Sequence, residues 1–210
     1  MVVVEPLVSE EKLRQLLDEQ AESVSLDYKS DCDLRDKGAL VELAKDVAAM
    51  EVHGGFIVIG ADDRGQPVGG LQPDRAGLFD EATLRAKLRK WIPEPLVLQS
   101  ASHEVAGSLM VMIYVGPNPQ GFAILEADGQ YLDATGRQRT AFRKGDVLAR
   151  HGTASEPWSQ GDIQHVLERV VAQPDEVKAG LVPGHQLGVL ERSEAFGGLG
   201  WRSERGLSGA

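Results

Sequence analysis

Two segments far apart in the chain carry residues able to do chemistry. The first is Glu22-Ser23-Val24-Ser25-Leu26-Asp27-Tyr28-Lys29, and the second is Gly54-Gly55-Phe56-Ile57-Val58-Ile59-Gly60-Ala61-Asp62-Asp63-Arg64-Gly65. Alternate side chains of an extended strand share a face, so Asp27 and Lys29 point one way and Tyr28 the other. An anion and a cation then stand side by side. The second segment is a β-branched run that closes on Asp62 and Asp63 before a glycine, which puts a carboxylate where a buried strand meets a turn. Acids at a strand end beside an Asp-x-Lys strand are what a hard divalent cation and a phosphate ester require. The plainer alternative is a same-face ion pair on an edge strand and ordinary turn chemistry.

Other candidates are fewer. Arg85, Lys87, Arg89 and Lys90 form one basic run, and Arg143, Lys144 and Arg150 form another. In a chain of net charge −10 these islands stand out as phosphate contacts. That acidity argues against a polyelectrolyte that coats nucleic acid, so any such contact must be local. The five histidines show no His-x3-His spacing, which argues against a zinc site. With Cys32 as the single cysteine, no disulfide framework can form within the chain, and a reducing, cytoplasmic setting is the expectation. No apolar run approaches the ~18 residues of a membrane span, so no membrane partner is expected. P-loop and Gly-x-Ser-x-Gly signatures are missing.

Several elements must hold these residues in place. Ser9 is a helix cap ahead of Glu10 and Glu11, with Leu13, Leu16, Leu17 and Ala21 on one face. A first strand follows over roughly 23–29. Asp36 caps a second helix whose stripe is Leu40, Leu43, Ala44 and Val47, stopped by His53-Gly54-Gly55. The most hydrophobic strand is 55–60. A third helix begins near Asp80, with Leu84, Leu88, Trp91 and Ile92 at helical spacing, and Pro93 and Pro95 end it. Strands over about 96–105 and 108–116 meet at Ala106-Gly107 as a hairpin. Shorter strands are expected near 121–126, 130–133 and 137–143. A last helix over 160–171 carries Ile163, Val166, Leu167 and Val170 on one side. From Gln173 on, eight of 38 residues are glycine, which reads as a flexible or partner-ordered tail. The result is an α+β domain with a mixed sheet flanked by helices over 1–172 and a Gly-rich tail over 173–210.

In this order and spacing, Glu22-x4-Asp27-Tyr28-Lys29, Ala48-Ala49-Met50-Glu51-Val52-His53-Gly54-Gly55 and Gly60-Ala61-Asp62-Asp63 resemble the Schlafen/AlbA-like divergent domain. Phe142-Arg143-Lys144-Gly145-Asp146-Val147 and Arg150-His151-Gly152-Thr153 are similar to the segment that closes its bacterial members. The likeness covers about residues 10–172 and implies a single lobe of that fold. Bacterial members are known mostly as nucleic-acid-binding domains, and animal Schlafens contain an RNA-cleaving core. The resemblance carries the metal-binding triad onto Glu22, Asp27 and Asp63, with Asp62 as the alternative, and Lys29 as the charge stabiliser. It implies Mg²⁺ or Mn²⁺, a nucleic-acid partner (RNA or DNA) and a homodimer or larger complex; the basic runs themselves point to Arg85, Arg89, Lys90, Arg143, Lys144 and Arg150 as the residues that contact it.

Two residues depart from the family pattern. Asp27 stands for the usual glutamate, and Glu51 for the usual asparagine. A nucleic-acid-binding domain with metal-dependent phosphodiester cleavage is the leading expectation. A non-catalytic nucleic-acid-binding regulator or adaptor, or a protein-interaction domain, is the alternative.

Overall fold

The computed structural model describes residues 2–172. The expected tail lies outside the described residues. The elements are α1 (Glu10–Asp18), β1 (Leu26–Lys29), α2 (Lys37–Met50), β2 (Gly55–Ile59), a short α3 (Pro73–Ala76) running into a 3-10 turn (Gly77–Phe79), α4 (Glu81–Leu88), β3 (Leu98–Val105), β4 (Ser108–Val115), β5 (Gly129–Leu132), β6 (Gln138–Phe142), β7 (Leu148–His151), β8 (Ala154–Pro157) and α5 (Gln160–Ala172). Local chemistry sets the helix starts. Ser9, Asp36 and Asp80 each accept backbone amides of the first turn, from Lys12, Ala39, and Ala82 with Thr83 respectively.

The main sheet runs in the order β1-β2-β4-β3. β1 and β2 are parallel, joined through α2, while the β2/β4 and β3/β4 pairs are antiparallel. The fold is therefore mixed α+β. Both faces of β2 are covered, which is why it reads as a continuous apolar run rather than an alternating one. Ile57 and Ile59 pack toward α2 and α4, with Leu43, Val47, Leu84, Leu88 and Ile113. Phe56 and Val58 pack toward α1, with Leu13, Leu16, Met112 and Tyr114. The β3/β4 turn places Ala106 and Gly107 at positive φ, as a two-residue hairpin turn demands.

Two arginines close the sheet edges. Arg150 donates to the carbonyls of Ser23 and Leu26 beside β1, and Arg85 donates to those of Leu96 and Leu98 beside β3. Carbonyls that would otherwise invite an extra strand are thereby engaged.

Four expectations are corrected. The first strand begins at Leu26, because Ser23 and Leu26 pair with each other across a tight turn. Residues 121–126 have no strand partner among the described residues, although their burial alternates as a strand's does. The β7/β8 hairpin forms where only a motif was expected. On α5 only Val166 of the predicted stripe is buried, and Leu167 is 58% exposed. No helix among the described residues is long and apolar enough to cross a membrane.

Candidate functional site

At the β1 edge four charges from three elements are locked together. Strand alternation sets Asp27 and Lys29 side by side, with Lys29 Nζ 2.9 Å from Asp27 Oδ2. α2 supplies Asp46, whose Oδ2 lies 2.6 Å from the same ammonium. β7 supplies Arg150, whose Nη2 lies 2.7 Å from Asp27 Oδ1. Ser155 of β8 donates to Asp46 Oδ1 at 2.8 Å. Two carboxylates thus face two cations, and the group is neutral. Burial alone would pull the Lys29 ammonium down, but Asp46 and Asp27 outweigh it and hold its pKa above the usual lysine range. Tyr28 points to the opposite face and donates its hydroxyl to Leu16 O. Burial, with Glu19, Glu22 and Asp18 nearby, pushes that phenol up to about 12.

The predicted acids lie at one end of this sheet, but they do not converge as ligands. Glu22 accepts the Tyr28 amide at 2.9 Å through Oε1. Its carboxyl is raised, first by burial and then by Asp27 and Asp63, so the three acids lie within electrostatic reach of one another. Asp27 has Oδ1 hydrogen-bonded to Arg150 and Oδ2 2.9 Å from the Lys29 ammonium, while Oδ2 has no hydrogen-bond partner among the described residues and keeps lone pairs open. Asp62 Oδ1 accepts the amides of Arg64 and Gln66, which is turn chemistry. Asp63 is exposed beside a cavity of about 280 Å³ that is also lined by Tyr28, Lys29, Cys32 and Glu42. Among the described residues no three His, Cys, Asp or Glu side chains are arranged to hold a metal ion. A divalent cation needs several open oxygens converging on one point, and here Asp27 lies between Arg150 and Lys29 while Asp62 Oδ1 is taken up by its turn.

The predicted phosphate contacts divide into two groups. Arg150 is 2% exposed and is an internal clamp, not a surface cation. Arg85 is spent on Glu81, Glu94 and the β3-edge carbonyls. Arg89, Lys90, Arg143 and Lys144 are exposed. Their backbones are drawn together by Trp91 and Phe142, whose rings meet edge to face at 6.2 Å. Asp128 ties the two runs further, since its carbonyl accepts Trp91 Nε1 at 3.2 Å and its carboxylate accepts the Lys144 amide at 2.8 Å. Lys90 lies 5.0 Å over the Trp91 ring, and none of the four side chains is in an ion pair among the described residues.

Several residues escaped the sequence reading. Asp46 is one: a carboxylate within the buried stripe of α2 is its only signal. A second group joins α5 to the body. Asp162 accepts the Ser159 amide, the Ser159 hydroxyl and His151 Nε2, the last at 2.8 Å. The His53 and His165 rings lie 4.5 Å apart, tilted by 48°. Burial would raise the Asp162 carboxyl, but the Ser159 bonds and His151 bring it to about 2. Glu51 is wholly buried, with Asn118 Nδ2 2.9 Å from Oε1, and burial pushes its carboxyl up to about 8. It is therefore largely protonated at neutral pH. The Cys32 thiol is pushed up to about 12 by burial, so it stays unreactive.

No protein-family model matches the sequence, and no curated protein does. Among solved structures the chain is similar to the DIP2311 protein from Corynebacterium diphtheriae, at 17% identity and a TM-score of 0.48. The likeness covers 77% of this chain and 31% of that one, so this chain spans about a third of the protein it matches. So distant a likeness says nothing of what the chain binds.

Proposed function

We propose that the chain is a non-catalytic nucleic-acid-binding module that grips phosphates with Arg89, Lys90, Arg143 and Lys144. The observation that carries this reading is the convergence of two basic runs, over 50 residues apart, into one exposed patch whose side chains are free of ion pairs among the described residues. Unpaired cations in an acidic protein are the local contacts that backbone binding needs. The resemblance to Schlafen/AlbA-like domains adds the same expectation. Two copies would double the patch, and a homodimer is part of the proposal.

Metal-dependent phosphodiester cleavage, with Mg²⁺ or Mn²⁺, is the second reading. The mutual proximity of Glu22, Asp27 and Asp63 favours it. Against it stands the pairing of Asp27 with two cations, Arg150 and Lys29.

Fluorescence anisotropy with labelled single-stranded RNA, single-stranded DNA and duplex DNA tests the binding. Four phosphate contacts on duplex DNA give a log–log salt slope of about −3.6, or roughly a 150-fold loss of affinity between 50 and 200 mM salt. Arg143→Ala with Lys144→Ala should halve that slope. A slope that ignores the substitutions, or no binding to any probe at low salt, would refute the proposal.

A further inference from the structure

Residues 121–126 behave as a strand that lacks a neighbour. Ala123 and Leu125 are buried, while Phe122, Ile124 and Glu126 turn outward, and Ile124 is 51% exposed. Among the described residues no hydrogen bond reaches the backbone of Phe122, Ala123 or Ile124. On extended backbone the N–H and C=O of one residue point to the same side, and those of the next residue to the opposite side. Leu125 uses its pair on Asp146 and Gly145, and the Glu126 amide donates the other way, to Trp91 O. The free groups of Phe122 and Ile124 therefore point to the Glu126 side; both residues line a cavity of about 690 Å³ together with Pro93, Glu94 and Lys144. Pro93 has no amide with which to compete for them.

The described chain ends at the mouth of this groove. Arg169, in the last turn of α5, donates to the carbonyls of Gly121 and Asn118 at 2.7 and 3.1 Å. Val166 and Val170 pack against Gly121, and Phe122 packs on Trp158 at 4.6 Å. The sequence continues for 38 residues past Ala172 and contains Gln186-Leu187-Gly188-Val189-Leu190, in which Leu187 and Val189 have the two-residue spacing of Phe122 and Ile124. A connection of 13 residues reaches at most about 47 Å, and the last turn of α5 is already held at Gly121, next to Phe122.

We propose that residues 186–190 of the same chain add as a strand along Phe122 and Ile124, with Leu187 and Val189 covering the apolar side chains there. Strand addition gives the free amides and carbonyls partners, and alternate side chains supply selectivity. Tethering puts this segment at millimolar effective concentration, above that of any second copy in a micromolar solution. The inference does not rest on nucleic-acid binding and stands or falls separately from it.

The full-length protein carrying Ile124→Cys with either Leu187→Cys or Val189→Cys, mildly oxidised at low micromolar concentration, tests the contact. A disulfide requires Cβ atoms about 3.5–4.5 Å apart. One of the two pairs should close within a chain at least tenfold faster than Ile124→Cys with Arg205→Cys. Only cross-linked dimers would mean that a second copy occupies the groove, and equal rates for all pairs would mean that nothing specific does; either result overturns the proposal. Val189→Asp, which touches no described contact, should raise amide exchange at Phe122 and Ile124 at least tenfold. Unchanged exchange would also overturn it.

Discussion

Removing Arg150 tests whether the Asp-x-Lys strand is part of the fold's internal wiring. Arg150→Met keeps most of the aliphatic volume and deletes the 2.7 Å pair with Asp27 together with the donors to Ser23 O and Leu26 O. Asp27, 5% exposed, is left with Lys29, which it shares with Asp46. Breaking a buried pair by deleting one partner costs about 3–5 kcal/mol. A folded body of about 170 residues, at roughly 2.1 cal/mol/K per residue, has an unfolding entropy near 0.36 kcal/mol/K, which converts that cost to a fall in Tm of about 8–14 °C. Calorimetry reads this directly. Asp27→Asn combined with Arg150→Met should recover about 1 kcal/mol or more of the summed single losses, since the two sites are in contact. A fall under about 3 °C, or strictly additive singles, would refute the reasoning. The same melts address the metal. A cation held at a hundred times its Kd would add about 2.7 kcal/mol. Tm should not rise with Mn²⁺, and a rise of that size that Asp27→Asn abolishes would make Asp27 a ligand instead.

The remaining expectations are smaller in scope. Glu51, raised to about 8 by burial, holds a proton in the folded state that the unfolded chain releases near 4.5, so its contribution is fullest below pH 4.5 and is lost as pH rises through 8. Glu51→Gln keeps the acceptor for Asn118 and should flatten the decline in stability between pH 5 and 8, at most about 5 kcal/mol, measured by urea melts; equal slopes would contradict it. A Cβ on Gly55 would lie 2.8 Å from the Ser25 carbonyl, so Gly55→Ala should force β1 away from β2 and cost about 1–3 kcal/mol. Gly77→Ala, with nothing within 4 Å, should be neutral or mildly stabilising in the same melts.

The layout of the fold was legible because its signals are local. The caps Ser9, Asp36 and Asp80 lie where side-chain type alone places them, and the β2 run needed only its own residues to read as a strand covered on both faces. The misreadings fall where a neighbour decides. Residues 121–126 have a strand's alternation, but pairing depends on a partner that the described chain does not supply. Of the α5 stripe Ile163, Val166, Leu167 and Val170, only Val166 is buried, and the helix docks by it together with Arg169 and Asp162, so polar contacts help set its rotation.

The site shows the same division more sharply. That Asp27 and Lys29 share a face follows from the pleat of one strand, but whether Asp27 is an open ligand or a closed anion depends on Asp46 and Arg150, which arrive from α2 and β7. Arg150 lies 123 residues away in sequence. A residue pattern gives the charge at a position and not the charges delivered to it, so a metal-site motif and a buried ion-pair motif can be spelled identically. The cations of the two basic runs sort by the same rule. Arg85 and Arg150 each meet backbone carbonyls at a sheet edge and are withdrawn from the surface, whereas the side chains of Arg89, Lys90, Arg143 and Lys144 are exposed and in no ion pair among the described residues. At the strand end Asp27 is paired with Lys29 and Arg150, whereas Asp63 stays exposed. The proposed binding without cutting rests on this sorting of charges.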